Sequence, residues 1–488
     1  MQAVDKRSNQ DISYEDLNLN DPKVIDSLTL DKKQYRKGLV QFLFFTVTAI
    51  LIFFVPFNIN GKSGQILFGV IYNGIINLLG NFGLWLVTFI LLSNGIVSFY
   101  GKYWAKEGTK LYDYYKGDSI IHPILYLLGG IFAVMFSLST TMGLNMPEII
   151  VGPKTGEMVI PPVVLGVAWI IPVGAFFMPF LTEYGCIDFF GVLLEPLMRP
   201  LFKIPGKAAV DATASFVGST SMAIIMTSRL YKSNTYTKRE ACLIATSFSA
   251  VSVGYAVLVT ETAGLADHFL ETYFSSFILA FIVAAIVGRI RPLSRKEDVY
   301  YNGKIQTEEE RKIGTKFEAP NKMLKKGVDR AVKRAYTSGK LLPIVKDSLV
   351  EGIIIVPKVI TLLCSIGIIG MILARYTPFF KIIGYIFLPL IKLLQVPDAL
   401  EVAAAIPAGV TEMFLPVLTI ADRVDIIAIG ARYFITAVSM VQIIFLAESV
   451  VVVMTTGIPL KFRELMIIFL ERTFIAMPFA ALFMHILF

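Results

Sequence analysis

Charge is scarce in this sequence. Only 17% of its 488 residues are Asp, Glu, Lys or Arg, against 55% hydrophobic, and the mean hydropathy is +0.67. A soluble chain of this length needs far more polar surface, so a water-exposed globular fold is excluded. Cysteine is as sparse: Cys186, Cys242 and Cys364 show no CxxC spacing, which leaves no signal for a disulfide framework or a thiolate metal site. His122, His268 and His485 are far apart. No HExxH, GxSxG or GxxxxGK[ST] pattern occurs, and Gly206-Lys207 lacks the upstream glycine. No enzymatic activity, metal or cofactor is expected. The net charge of +8 does not signal nucleic acid, because no basic motif is interleaved with stacking aromatics.

Long apolar runs are what the sequence has, many approaching or exceeding the 18 residues that span a hydrocarbon core. Crossings are expected at about 39–57, 82–100, 120–138 and 160–181, then 240–262, 272–290, 349–374, 426–454 and 464–487. The piece 66–79 is short and ends at Gly80-Asn81, which fits a half-helix at the surface. Residues 185–204 are amphipathic, with Asp188, Glu195, Arg199 and Lys203 among Phe, Leu and Met, and read as an interfacial helix. Residues 208–231 are apolar but interrupted by Gly218-Ser219-Thr220-Ser221. Each half is too short to cross, so a re-entrant hairpin is expected, as is a second at 398–420, broken at Pro407-Ala408-Gly409.

These parts occur twice, about 190 residues apart. Leu194-Glu195-Pro196-Leu197-Met198 returns as Phe387-Leu388-Pro389-Leu390-Ile391, Pro205-Gly206 as Pro397-Asp398, Gly218-Ser219-Thr220 as Gly409-Val410-Thr411, and Arg239 as Arg432. Each copy contains an odd number of crossings, so the second copy enters the bilayer from the opposite side. Inverted repeats with breaks at matching positions mark secondary transporters. The fold class is an all-α polytopic membrane protein with about nine spanning helices, two re-entrant hairpins and an inverted-repeat transporter core.

The tips concentrate the polar residues. Half-helix N-termini expose N–H groups and the turns expose carbonyls, so a tip can hold a polar solute or a cation. Ser219, Thr220 and Ser221 at the first tip, and Thr411 and Glu412 at the second, are candidate solute ligands. Glu412 is the only acid at a tip. The helix after each hairpin carries a polar stripe, Thr246, Ser249 and Ser252 (with Ser247 alongside) in the first copy and Thr436, Ser439 and Gln442 in the second. Ser439 and Gln442 are assigned to the solute. Gly218, Thr246, Ser249 and Ser252, whose oxygens are hard ligands, are assigned to a coupling ion. Na⁺ is the first expectation, and H⁺ the alternative. Lys358, Glu448, Glu471 and Arg472 are intramembrane charges at similar depths, about 10–14 Å along their spans, and are expected to pair as a structural cluster.

The stretches Gly218-Ser219-Thr220-Ser221-Met222-Ala223, Tyr236-Thr237-Lys238-Arg239-Glu240-Ala241 and Thr246-Ser247-Phe248-Ser249-Ala250-Val251-Ser252-Val253 resemble the Gate-domain (nucleoside-recognition) superfamily. The closest likeness is to its YjiH-type membrane proteins, over roughly residues 155–488. The order of parts is similar to concentrative nucleoside transporters. That resemblance implies hairpins, and broken helices after them, that bind nucleoside and sodium. Ser219 and Ser221 stand where the nucleoside transporters carry Gln and Glu at the first tip. At the second, Glu412 keeps a Glu while Thr411 and Met413 replace Asn and Phe. The superfamily also contains spore-maturation proteins and the membrane part of an iron(II) transporter.

The domains expected are a cytoplasmic tail (1–38), scaffold helices (39–154), a first Gate-like repeat (155–290), a basic cytoplasmic loop (291–343) and a second repeat (344–488). Between Arg291 and Lys340 there are 14 Lys/Arg against 7 Asp/Glu, and loop 101–118 carries four lysines, which places both inside by the positive-inside rule. The reading is a multi-pass protein of the cytoplasmic membrane, N-terminus inside and C-terminus outside, moving a small polar organic solute by ion coupling. Its partners are then the lipid bilayer, the solute and a second copy or another Gate-domain protein. The competing reading is a non-transport Gate-domain protein that is a structural or signalling partner of another membrane chain. The topology predicts that single cysteines at Lys304 and Lys322 label only from the cytoplasm and one at Lys154 only from outside. Labelling of 154 and 304 from one side breaks the inverted repeat.

Overall fold

The computed structural model describes residues 22–53, 55–59, 62–116, 118, 120–210, 220–248, 253–312, 319–446 and 448–488. Beyond one short β-hairpin, Pro56–Ile59 with Lys62–Ile66, the regular structure is helical. Among the described residues, seven helical stretches are long and apolar enough to cross a membrane. The other two stretches expected to cross, 240–262 and 426–454, each hold two shorter helices.

The scaffold is α1 (Pro22–Ser27), α2 (Lys32–Phe53), α3 (Leu67–Tyr103), α4 (Lys110–Tyr115) and α5 (His122–Met142). Helix α2 starts at Lys32, seven residues before the apolar run, because its basic first turns extend past the apolar stretch without breaking the helix. The break foreseen at Gly80 is present: its φ of 46° and ψ of −127° kink α3, a conformation open to glycine. Helices α3 and α5 pack closely through glycines. A Cβ on Gly95 would lie 2.9 Å from the Leu127 Cα, and one on Gly130 2.8 Å from the Leu92 Cα.

The first repeat holds α6 (Gly166–Thr182), the surface helix α7 (Cys186–Phe202), α8 (Thr220–Lys232), the interrupted pair α9 (Lys238–Ser247) and α10 (Val253–Thr262), and α11 (Phe269–Val287). The linking loop contributes α12 (Pro320–Thr337). The second repeat holds α13 (Leu341–Tyr376), the surface pair α14 (Phe379–Gly384) and α15 (Leu388–Leu393), then α16 (Ala399–Ala405) and α17 (Leu415–Leu418) flanking the second tip. The interrupted pair α18 (Ile429–Val441) and α19 (Ser449–Thr456), and α20 (Phe462–Leu487), complete it.

The crossings expected at 240–262 and 426–454 are thus not continuous helices. In the second, the backbone leaves the helix at Gln442 and makes its bonds elsewhere. The Leu446 N–H donates to the Val410 carbonyl of the tip at 2.7 Å, and the Phe445 N–H donates to Ser449 Oγ at 2.8 Å. These tertiary partners offset the lost ladder, which the hydropathy of the segment does not register.

Loop contacts sort to two ends of the bundle. One end holds the ion pairs Arg330–Asp26 (2.6 Å), Arg334–Glu183 (3.0 Å) and Lys296–Glu464 (2.7 Å), together with α7, whose Arg199 bridges Glu195 and Glu240 at 2.7 Å each. Burial alone would raise the Asp26 carboxyl, but the Arg330 hydrogen bond and charge outweigh it and hold it below the usual carboxylate range. The opposite end holds Arg432 donating to the Gly264 carbonyl (2.8 Å), the Phe488 ring against His268 and Tyr433, and α15, whose Leu394 carbonyl meets His485 at 3.0 Å. The two surface helices lie at opposite ends, as inverted copies require.

Lys358 lies in α13 against the scaffold, not in a cluster with the other three charges. Its Nζ pairs with Asp118 at 2.9 Å, donates to the Tyr114 carbonyl at 2.6 Å and faces the Tyr114 and Tyr115 rings. Lys358→Met leaves the part-buried Asp118 without its cation and is expected to destabilise by about 1–3 kcal/mol. Adding Asp118→Asn should recover part of that loss. Thermal melts in detergent check both, and a single variant as stable as the parent would remove this pair as an anchor.

Candidate functional site

A helix that stops inside a membrane exposes four N–H groups or four carbonyls, and each end needs a partner. In this protein some of the partners come from the opposite repeat. The described part of helix α8 starts at Thr220, and the Ser221 N–H and Oγ both donate to Glu448 Oε1, at 3.0 and 2.5 Å. Glu448 precedes α19, in the interruption of the second repeat. A carboxylate at a helix N-terminus gains from both the free N–H groups and the dipole. This brings the first tip against the second repeat's break, and makes Glu448 the acid at the centre.

Glu412, the acid expected there, has a local role among its described bonds: its Oε2 accepts from the Phe414 N–H at 2.7 Å, closing its own turn. It precedes α17 by three residues, where a side-chain acceptor satisfies the turn's own donors.

The second tip runs through Ile406–Val410 into Thr411. Gln442 and Ser439 from α18 hold it. Gln442 Nε2 donates to the Ile406 carbonyl (3.2 Å) and to Thr473 Oγ1 (2.9 Å), and Ser439 Oγ donates to the Met413 carbonyl. Gly409 permits this approach, since a Cβ there would lie 2.0 Å from Gln442 Oε1. Among the described residues, Gln442 Oε1 and Thr411 Oγ1, and Ser247 Oγ in the first repeat, are buried without a hydrogen-bond partner. Unsatisfied buried polar atoms are costly, and in a transporter they are what a solute would satisfy.

The coupling-ion set is mostly out of view. Gly218, Ser249 and Ser252, with the solute candidate Ser219, lie outside the described residues. Thr220 is half-buried at the start of α8. Thr246 is described and its oxygens are engaged: Oγ1 donates to the Cys242 carbonyl at 2.8 Å, and its carbonyl accepts from Arg472. Thr436 Oγ1 likewise bonds back to Arg432 at 2.8 Å.

Arg472 on α20 is fully buried. Its Nε and Nη2 donate to the Val441 carbonyl at 3.1 and 3.0 Å, and its Nη1 to the Thr246 carbonyl at 2.9 Å. These are terminal carbonyls of α18 and α9. The intramembrane charges therefore divide: Glu448 serves helix N-termini, Arg472 serves helix C-termini and Lys358 serves the scaffold. Glu471, one residue from Arg472, lies on another face of α20, half-buried, with Oε2 unpartnered. No salt bridge joins any two of these four among the described residues, because they sit on separate faces and each finds a nearer partner or none. No spacing rule pointed to Asp118 or to the Arg472–carbonyl bonds. Nor did any point to Thr473. Among the described residues no group of three or more His, Cys, Asp or Glu converges as a metal site.

Residues 164–265 match the family model Gate, described as nucleoside recognition, within the stretch where the sequence shows the resemblance. An uncharacterised protein of Alkalihalophilus pseudofirmus is 34% identical over 315 residues, 64% of this chain and 65% of that one. The chain thus matches just under two thirds of that relative's length. The sporulation integral membrane protein YlbJ of Bacillus subtilis is 32% identical over 84 residues, 15% of this chain and 21% of its own. Among solved structures, a variant of CNTnw in an outward-facing state aligns with a TM-score of 0.42 at 13% identity, covering 91% of this chain and 97% of that one.

Gly409→Ala drives a methyl into Gln442 Oε1, and Gln442 cannot yield without losing its bonds to Ile406 and Thr473. A loss of about 1–3 kcal/mol is expected. In a Gln442→Ala background the same change should cost little, and equal costs in the two backgrounds would show that this contact does not position the tip.

Proposed function

We propose that this protein is a secondary transporter of the cytoplasmic membrane, N-terminus inside and C-terminus outside, that moves a small polar organic solute between its two broken-helix repeats. The observation that carries the reading is the pairing of the first tip with Glu448. A carboxylate at a helix N-terminus, held by a serine hydroxyl and an N–H, is an acceptor that a solute hydroxyl or amine can take over from Ser221. The unpartnered oxygens of Thr411 and Gln442 at the second tip offer the complementary contacts. The Gate match, a family described by nucleoside recognition, makes nucleosides the first class of solute to assay.

Ser221 of the first repeat and Glu448 of the second meet here, so the contact spans the two repeats. Rocking one repeat against the other opens the space between them to either side in turn. Ser221–Glu448 and Leu446–Val410 are the contacts that hold the tips to the second break, so solute binding and tip movement act on the same atoms.

Uptake into proteoliposomes, screened over nucleosides, amino acids, dipeptides and organic acids, tests this reading. Glu448→Gln keeps the shape and removes the charge. Loss of a charged acceptor costs about 1.5–3 kcal/mol, so affinity should fall roughly 10- to 150-fold while the melting temperature stays near that of the parent. Normal transport by Glu448→Gln would take the carboxylate out of the site.

A further inference from the structure

The ends of α9 and α18 that face the centre are C-terminal, where unsatisfied carbonyls carry the negative half of the helix dipole. They come from different repeats, so nothing in either helix alone neutralises them. In transporters built from discontinuous helices, such carbonyls and half-helix C-termini are where a mobile cation binds. Here Arg472 reaches the place from a third helix, α20. It is 0% exposed and bridges Thr246 and Val441 with three hydrogen bonds of 2.9–3.1 Å. Among the described residues it has no carboxylate partner, so its charge is balanced by the two helix ends. The planar fork suits the geometry, two nitrogens on one carbonyl and the third on the other, which the point charge of a lysine could not reproduce.

We propose that Arg472 is a tethered cation, a guanidinium that stands where a free Na⁺ would otherwise be held, so that these carbonyls need no mobile ion. A buried charge so far from water is costly unless something fixed answers it, and the two carbonyls do so. Glu448 is the mirror case, a fixed anion at the N-terminus of α8. The centre thus carries its own charge of each sign. The inference deepens the transporter reading, on which only its uptake measurement rests.

The test is chemical rescue of the purified, full-length protein. Arg472→Ala should melt several degrees below the parent. Low-millimolar guanidinium chloride should restore at least half of that loss while leaving the parent unmoved, and urea, the neutral analogue of similar shape, should restore none. Rescue by urea as well, or by neither, overturns the proposal, as does an Arg472→Ala variant that melts like the parent. If Arg472→Ala yields no folded protein, Arg472→Lys, which keeps charge without the fork, should melt below the parent and gain from guanidinium. In the parent, replacing Na⁺ by K⁺ or choline should change neither the melt nor uptake, and a Na⁺ requirement in either overturns the tethered-cation role. Failed rescue with Glu448→Gln still inactivating transport would remove this inference alone. Absent uptake of every solute with successful rescue would remove the transporter reading and leave the cation site standing.

Discussion

The structure depends on satisfying helix ends that stop inside the membrane. A broken helix in hydrocarbon leaves N–H groups and carbonyls that water cannot reach. Here each broken end is answered from elsewhere in the fold. Glu448 of the second repeat answers α8 of the first, Arg472 answers α9 and α18 together, and the Val410 carbonyl answers the Leu446 N–H. Two of these contacts, Ser221 with Glu448 and Thr246 with Arg472, join opposite repeats, so each repeat stabilises broken helices of the other.

Outside the apolar layer, charge performs the corresponding task. The loop between repeats is basic in sequence, and in the fold it is a docked element. Helix α12 packs along α2 and α7, with Arg330 on Asp26 and Arg334 on Glu183, while Lys296 reaches Glu464 of the second repeat. This layer fixes the scaffold and both repeats at one end of the bundle. The other end has fewer ion pairs, and its contacts are rings and carbonyls around Phe488 and Arg432.

The candidate site was legible in part. Ser221, Gln442, Ser439 and Thr411 stand at the tips or the second break as their spacing implied, because polar residues in an apolar run are few and conspicuous. A second acid joins the one expected: Glu448 meets Ser221 of the first hairpin, since the chain unwinds after Val441 and carries it there, while Glu412 accepts from the Phe414 N–H of its own turn. The expected charge cluster dissolved for a similar reason. Depth along a helix gives one coordinate, whereas pairing also depends on the face, and Glu471 and Arg472, adjacent in sequence, point about 100° apart.

Composition and periodicity by themselves determined the all-helical, membrane-spanning class and the glycine kink at Gly80, because these follow from local apolar length and backbone freedom. Only the tertiary structure decided where the crossings break and what fills the breaks. Those outcomes turn on partners more than 200 residues apart, Ser221 with Glu448 and Thr246 with Arg472. A segment such as 426–454 is apolar enough to cross as one helix. It stops at Gln442 because a tip carbonyl, a serine hydroxyl and a buried guanidinium together replace the bonds that the helix gives up.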